Sequence, residues 1–210
     1  MEKVLVAARD DIFTVRGVLT PDECAAYIAR SEAVGYGDAP VSTWSGPIVN
    51  KRMRSNDRVM VDDPPTAAAL WEKLRPLVPA RRGSWTACGL NERLRYYRYD
   101  PGQLFDWHFD GHFERSADEH SALTVLLYLS GGFEGGATEF NFLAAPRVDD
   151  NPIVTVVPEA GMALVFAHRV LHRGAPVTAG RKYAADFKKT MKIAFDDVLP
   201  KWNYRAIPAV

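Results

Sequence analysis

Apolar positions in the first third of the chain keep a helical spacing, and from Leu90 onward they give way to short alternating or continuous runs cut by glycine and proline. Thr20-Pro21-Asp22-Glu23 has the features of a helix start: Thr20 as N-cap, proline at the first helical position, acids in the first turn. That helix is expected to run through Cys24, Tyr27 and Ile28 and to fade near Gly35. A stretch rich in turn residues follows as far as Pro47, then a charged run over residues 51–58, read first as a solvated loop. A second helix is expected after Asp62-Asp63-Pro64-Pro65, through Ala69, Leu70, Trp71 and Leu74, stopping before Pro76. Beyond Leu90, Arg93–Tyr99 alternates and residues 121–130 are almost continuously apolar. Residues 137–142, 153–157, 161–167 and a segment between 181 and 195 supply further strands. Helices first and many short strands afterwards describe an α+β chain, with a sandwich or barrel-like β core and the N-terminal helices packed on one sheet.

A length of 210 residues favours one domain, with an N-terminal helical part over 1–89 and a β core over 90–200. Twenty-six basic residues balance 26 acidic ones, so no overall field draws the chain to nucleic acid or to a membrane. No apolar run approaches the roughly 20 residues of a membrane span. The first residues lack the basic start and long apolar middle of a signal peptide. Two cysteines, Cys24 and Cys88, exclude a disulfide framework and suit a reducing compartment, so a cytoplasmic protein is expected.

Five histidines remain to be placed: His108, His112, His120, His168 and His172. In extended backbone, residues two apart face the same way, so His108 and Asp110 can offer an imidazole nitrogen and a carboxylate oxygen to one point. A second histidine from a distant strand would complete a two-His, one-carboxylate face, the donor set of non-haem Fe(II) oxygenases. His168 and His172 both qualify, and His172 has the better context because Gly174 and Pro176-Val177-Thr178 follow it. Lys182, ten residues beyond His172, could meet the far carboxylate of a diacid ligand by a charge-assisted contact. Taken singly these signals are weak: His-x-Asp is usually a surface accident, Arg181-Lys182 passes for a solvated turn, and Tyr96, Tyr97, Phe105 and Phe109 pass for core.

In order along the chain they carry more. Arg95-Tyr96-Tyr97-Arg98-Tyr99-Asp100-Pro101-Gly102-Gln103, His108-Phe109-Asp110, Leu126-Leu127-Tyr128-Leu129, Gly135-Gly136-Ala137-Thr138-Glu139-Phe140 and the segment from Pro158 through Lys182 resemble the prolyl 4-hydroxylase-like branch of the 2-oxoglutarate/Fe(II) dioxygenases. The resemblance covers roughly residues 90 to 185. It implies a double-stranded β-helix (jelly-roll, cupin-like) core, with Fe(II) on His108, Asp110 and His172. It further implies 2-oxoglutarate held at its 5-carboxylate by Lys182 and bordered by Tyr99, Tyr128 and Thr138. The activity implied is hydroxylation of a C–H bond with release of succinate and CO2, using O2 and admitting ascorbate. The substrate implied is of amino-acid type, as a protein side chain, a free amino acid or a related small molecule. Asp110 argues against halogenation, which in relatives needs a small residue at that position.

Three departures qualify the match. Phe105 stands where the family often has tyrosine, and Arg173 stands where many relatives have glutamate after the distal histidine. Residues 184–190 separate Tyr183 from the expected last strand, which leaves either an insertion or Lys192 as the basic anchor. Substrate contacts are expected from the loops and N-terminal elements, with Arg54 or Arg58 meeting a substrate carboxylate and Trp107, Arg115 and Arg173 nearby. Two rival functions stay open at this point. A nucleic-acid demethylase of the same iron class would want a basic groove with stacking aromatics; a non-catalytic metal-binding β-helix module would keep the fold and the metal without the catalysis and act as an interaction protein.

Overall fold

The computed structural model describes residues 1–143 and 150–193, without the side chains of Lys189, Lys192 and Ile193. Its larger sheet has 11 strands. The main path runs Glu2–Val6, Arg9–Arg16, Ala163–Ala167, Glu119–Tyr128, Lys182–Ile193, Arg93–Tyr99, Asp57–Asp62 and Gly37–Asp38. A smaller sheet orders Phe105–His108, Leu171–Gly174, Thr138–Asn141 and Ile153–Val156, all antiparallel. The two meet where Phe140 of the small sheet packs edge-on against Phe166 of the large one, ring centres 5.3 Å apart. Glu119–Tyr128 lies between Ala163–Ala167 and Lys182–Ile193, and side chains on both of its faces are largely buried, which is why its second half is an apolar run rather than an alternation.

Both helices begin where their caps demand. In Pro21–Val34 the Thr20 hydroxyl accepts from the Glu23 amide (3.2 Å) and the Glu23 carboxylate accepts from the Thr20 amide (2.8 Å), a closed capping box. In Pro64–Leu74 the Asp63 carboxylate accepts from the Thr66 amide, and Ala67, Leu70 and Leu74 carry one stripe into the core. Tyr27 of the first helix meets Tyr96 of the large sheet, ring centres 6.3 Å apart. Among the described residues no helix is long and apolar enough to cross a membrane.

Three expectations need correction. The first third is not only helical: it opens with the hairpin Glu2–Val6/Arg9–Arg16, which joins the large sheet through Ala163–Ala167. The hairpin turns on Ala7 and Ala8, both at positive φ (51° and 56°). This is the backbone that Asn-Gly normally announces, so its usual sequence signal is missing. Residues 184–190 are no insertion either, since Lys182–Ile193 is one continuous strand paired to Glu119–Tyr128 along its length. Finally, the run 51–58 is not wholly a solvated loop: Arg54 and Asn56 are buried. The Arg54 guanidinium lies over the rings of Phe105 (4.2 Å) and Tyr97 (4.9 Å), and its Nε donates to Asn56 Oδ1 (3.0 Å).

Candidate active site

Register brings the two histidines together. His108 ends the strand Phe105–His108 directly opposite His172, which on its other side faces Phe140. Each ring is oriented through Nδ1, at 2.7 Å from the Asp106 carbonyl for His108 and 2.9 Å from the Val170 carbonyl for His172. A carbonyl only accepts, so both Nδ1 atoms carry the proton and both Nε2 lone pairs are left for a ligand. Asp110 follows the strand and is held by its amide, which donates to the His168 carbonyl (3.1 Å). One potential ligand atom from each of His108, Asp110 and His172 lies within 4.8 Å of the others. Phe105 stacks on His108 (centroids 3.5 Å) and Phe166 packs edge-on against His172 (4.5 Å), contacts that help to fix both rings.

The charge state matches what a divalent cation requires. Burial pushes His108 down to about 3, helped by the neighbouring His172 and opposed by Asp110. Burial also lowers His172. For Asp110 burial acts upward, but the Lys188 ammonium and the two imidazoles outweigh it and hold the carboxyl well below the usual carboxylate range. At neutral pH the trio is two neutral imidazoles and one carboxylate, the forms in which these groups bind metal. Asp110 Oδ2 lies 2.9 Å from Lys188 Nζ and accepts from the Thr124 hydroxyl, which in turn accepts from Lys188 (3.0 Å).

A second charged group lines the same cleft. Lys182 is 3% exposed, and among the described residues its ammonium forms no ion pair; it donates to the Gly136 carbonyl (2.6 Å) between the rings of Tyr99 and Tyr128. Gly136 is needed there: its φ is +63°, and a Cβ would press on Lys182 Cδ at 3.2 Å. Burial pushes the Lys182 pKa down to about 7. A buried ammonium with only a carbonyl partner is a receptor for an anion. Only the protonated lysine can play that part, so affinity for a dicarboxylate should fall as pH rises through 7, approaching tenfold per unit above it. Binding titrations of 2-oxoglutarate at pH 6.5, 7.5 and 8.5 check this, and a flat profile would contradict it.

The expected residues fall out as follows. His108, Asp110, His172, Lys182, Tyr99 and Thr138 line one cleft between the sheets. Tyr128 does not reach its wall; it stands behind and donates to Thr138 Oγ1 (2.7 Å). His168 supplies its carbonyl, and its own buried ring stays outside the ligand cluster. Lys192 lies at the opposite end of the strand that begins at Lys182, its backbone paired with Glu119, a separation of roughly 30 Å; its side chain is outside the described residues. Tyr97 and Phe105, read as core, are cleft walls, whereas Phe109 is exposed. Arg115 is tied to Glu92 and Glu119, and Arg173 pairs with Glu139 while covering the Trp107 ring. Thr124, Asp186 and Lys188 were not anticipated. Strand alternation would have found them: Thr124, Leu126 and Tyr128 share one side of their strand, and Lys182, Ala184, Asp186 and Lys188 share one side of theirs.

Comparison with known proteins agrees with this geometry. Residues 94–187 match the model of the 2OG-Fe(II) oxygenase superfamily. A probable prolyl 4-hydroxylase of Arabidopsis thaliana is 27% identical over 226 residues, covering 88% of this chain and 73% of that protein. Among solved structures, a Pseudomonas putida prolyl-4-hydroxylase shares the fold with a TM-score of 0.62 at 22% identity, over 85% of this chain and 92% of that one. A prolyl hydroxylase from Trichoplax adhaerens, solved in complex with a hypoxia inducible factor peptide fragment, also gives 0.62, at 17% identity over 86% of this chain and 83% of that one.

Proposed function

Since the chain is homologous to prolyl 4-hydroxylases and carries the 2OG-Fe(II) oxygenase signature over residues 94–187, we propose that it hydroxylates a C–H bond of an amino-acid-type substrate, with His108, Asp110 and His172 holding the iron. It is a 2-oxoglutarate-dependent oxygenase, and Fe(II) and 2-oxoglutarate are its cofactors. Bound together, they supply the oxidation of the substrate C–H bond by O2, with 2-oxoglutarate leaving as succinate and CO2.

The protein supplies position and charge. The two Nε2 atoms and the Asp110 carboxylate would hold the iron, a donor set that suits non-haem Fe(II) oxygenase chemistry. Lys182 takes the far carboxylate of 2-oxoglutarate as a charge-assisted partner, and Tyr99 and Thr138 shape the walls around it. Phe105, Phe166 and Leu126 keep the space between dry. The observation that carries this reading is the pairing, in one cleft, of a metal-ligand trio with a buried ammonium that no acid among the described residues neutralises.

The amino-acid character of the substrate draws on the named relatives and on Arg54. Its guanidinium sits over two cleft-wall rings, and its buried Nη2 has no hydrogen-bond partner among the described residues. That atom offers a contact to a substrate carboxylate or main-chain carbonyl. The test is succinate formation by iron-loaded protein with proline-containing peptides, free amino acids and their amides supplied in turn. At least one of the first two classes should raise turnover several-fold over the substrate-free rate. If neither does while 2-oxoglutarate still binds, the substrate class is wrong and the cofactor assignment survives.

A further inference from the structure

Lys188 has no part in the roles above, and it lies one residue beyond the segment that matches the superfamily model. Its side chain is almost wholly buried. Its Nζ is 2.9 Å from Asp110 Oδ2 and 3.0 Å from Thr124 Oγ1, and the Thr124 hydroxyl donates to the same Oδ2. One oxygen of the carboxylate, Oδ2, is therefore committed to two donors. The strand places the lysine there by register, since Lys188 pairs with Thr124 across the sheet and Asp110 reaches the pair from the loop after His108. A buried ion pair is poor evidence of a gain in stability, because desolvating both charges costs about as much as their attraction returns. Its effect on what binds beside it is easier to sign.

Two neutral imidazoles and a carboxylate contribute a formal charge of −1 to a bound metal, and a fixed ammonium on that carboxylate cancels it. We infer that Lys188 tunes the iron centre toward the ferrous state. Oxidation to Fe(III) adds a unit of positive charge close to a buried cation that has no freedom to withdraw, and in a low-dielectric cleft that repulsion is felt by the ferric form more than by the ferrous one. Groups behind the ligands are among the levers by which a protein sets a metal's potential. The consequence is an enzyme that keeps its iron in the starting oxidation state between turnovers with less call on an external reductant. The inference rests on His108, Asp110 and His172 being the iron ligands.

The experiment is a mediated potentiometric titration of iron-loaded protein without 2-oxoglutarate, comparing the native chain with K188Q, K188M and K188R. Glutamine keeps a donor for Asp110 and removes the charge; arginine keeps the charge. At a fixed potential, K188Q and K188M should hold at least a tenfold higher ratio of Fe(III) to Fe(II) than the native protein, a shift of 59 mV for one electron. K188R should stay within about threefold of native. In air, Fe(II)-loaded K188Q should oxidise several-fold faster. If K188M does not accumulate as folded protein, K188Q and K188R decide alone, since both retain a polar group for Thr124 and Asp110. A native or higher potential in K188Q with iron bound overturns the inference and leaves the ligand assignment intact. Failure of the native protein to bind one Fe(II), or undiminished binding in H108A, overturns the assignment and the inference with it.

Discussion

Replacing His108 with alanine is expected to reduce succinate formation from 2-oxoglutarate to the level of free Fe(II) in buffer. The substitution removes one of the three proposed ligands; the apolar Phe105 cannot replace it, and among the described residues neither the buried His168 ring nor Asp186 of the cleft wall belongs to the ligand cluster. Changes behind metal ligands alone typically weaken metal binding or activity about 10- to 100-fold, so loss of a ligand should weaken Fe(II) binding by at least about 100-fold. H112A is the matched control, because His112 is exposed and outside the trio; it should bind iron and turn over 2-oxoglutarate as the native chain does. Anaerobic Fe(II) titration followed by succinate assay reads both. Native succinate production by H108A would end the assignment of the trio.

The second large effect is expected at the other charged group. K182M keeps much of the side-chain volume and removes the charge. Truncating one member of a buried charge pair costs about 2–5 kcal/mol, which converts to a loss of roughly 30- to several thousand-fold in affinity for 2-oxoglutarate. Fe(II) affinity should change little, because the Lys182 ammonium is bonded to Gly136 and not to the ligand trio. The split is the informative part. A KM for 2-oxoglutarate within threefold of native would remove Lys182 from its role, whereas a matching collapse of Fe(II) binding would point to general damage to the fold.

Much of this could be read from the chain alone, and the exceptions have physical causes. The helix starts at Thr20 and Asp63 were legible because capping is local: the residues that satisfy the free amides sit within three positions of them. The trio was legible because His108 and Asp110 are two apart, and because glycine and proline punctuation marks the loop after His172. The N-terminal hairpin was not legible, since an Ala-Ala turn at positive φ has no residue signature. Arg54 was hidden for a different reason. Charge in a sequence predicts exposure, and only the rings of Tyr97 and Phe105, brought in from elsewhere, make a buried guanidinium tolerable. Lys188 was obscured by the idea of an insertion, which broke the alternation that runs unbroken from Lys182.

That unbroken strand ties two tasks to one ruler. Lys182, proposed for the cosubstrate, and Lys188, paired with the Asp110 carboxylate, stand six residues apart on one pleated face, a span of roughly 20 Å. A single-codon insertion or deletion between them would rotate one out of the cleft whenever the other stayed in it, since each step flips the side. Point replacements along this stretch can be sampled one at a time; changes of length cannot. Natural variation and directed evolution should therefore substitute residues of this strand, within what the core packing of Ala185 and Phe187 on its other face allows, while leaving its spacing untouched.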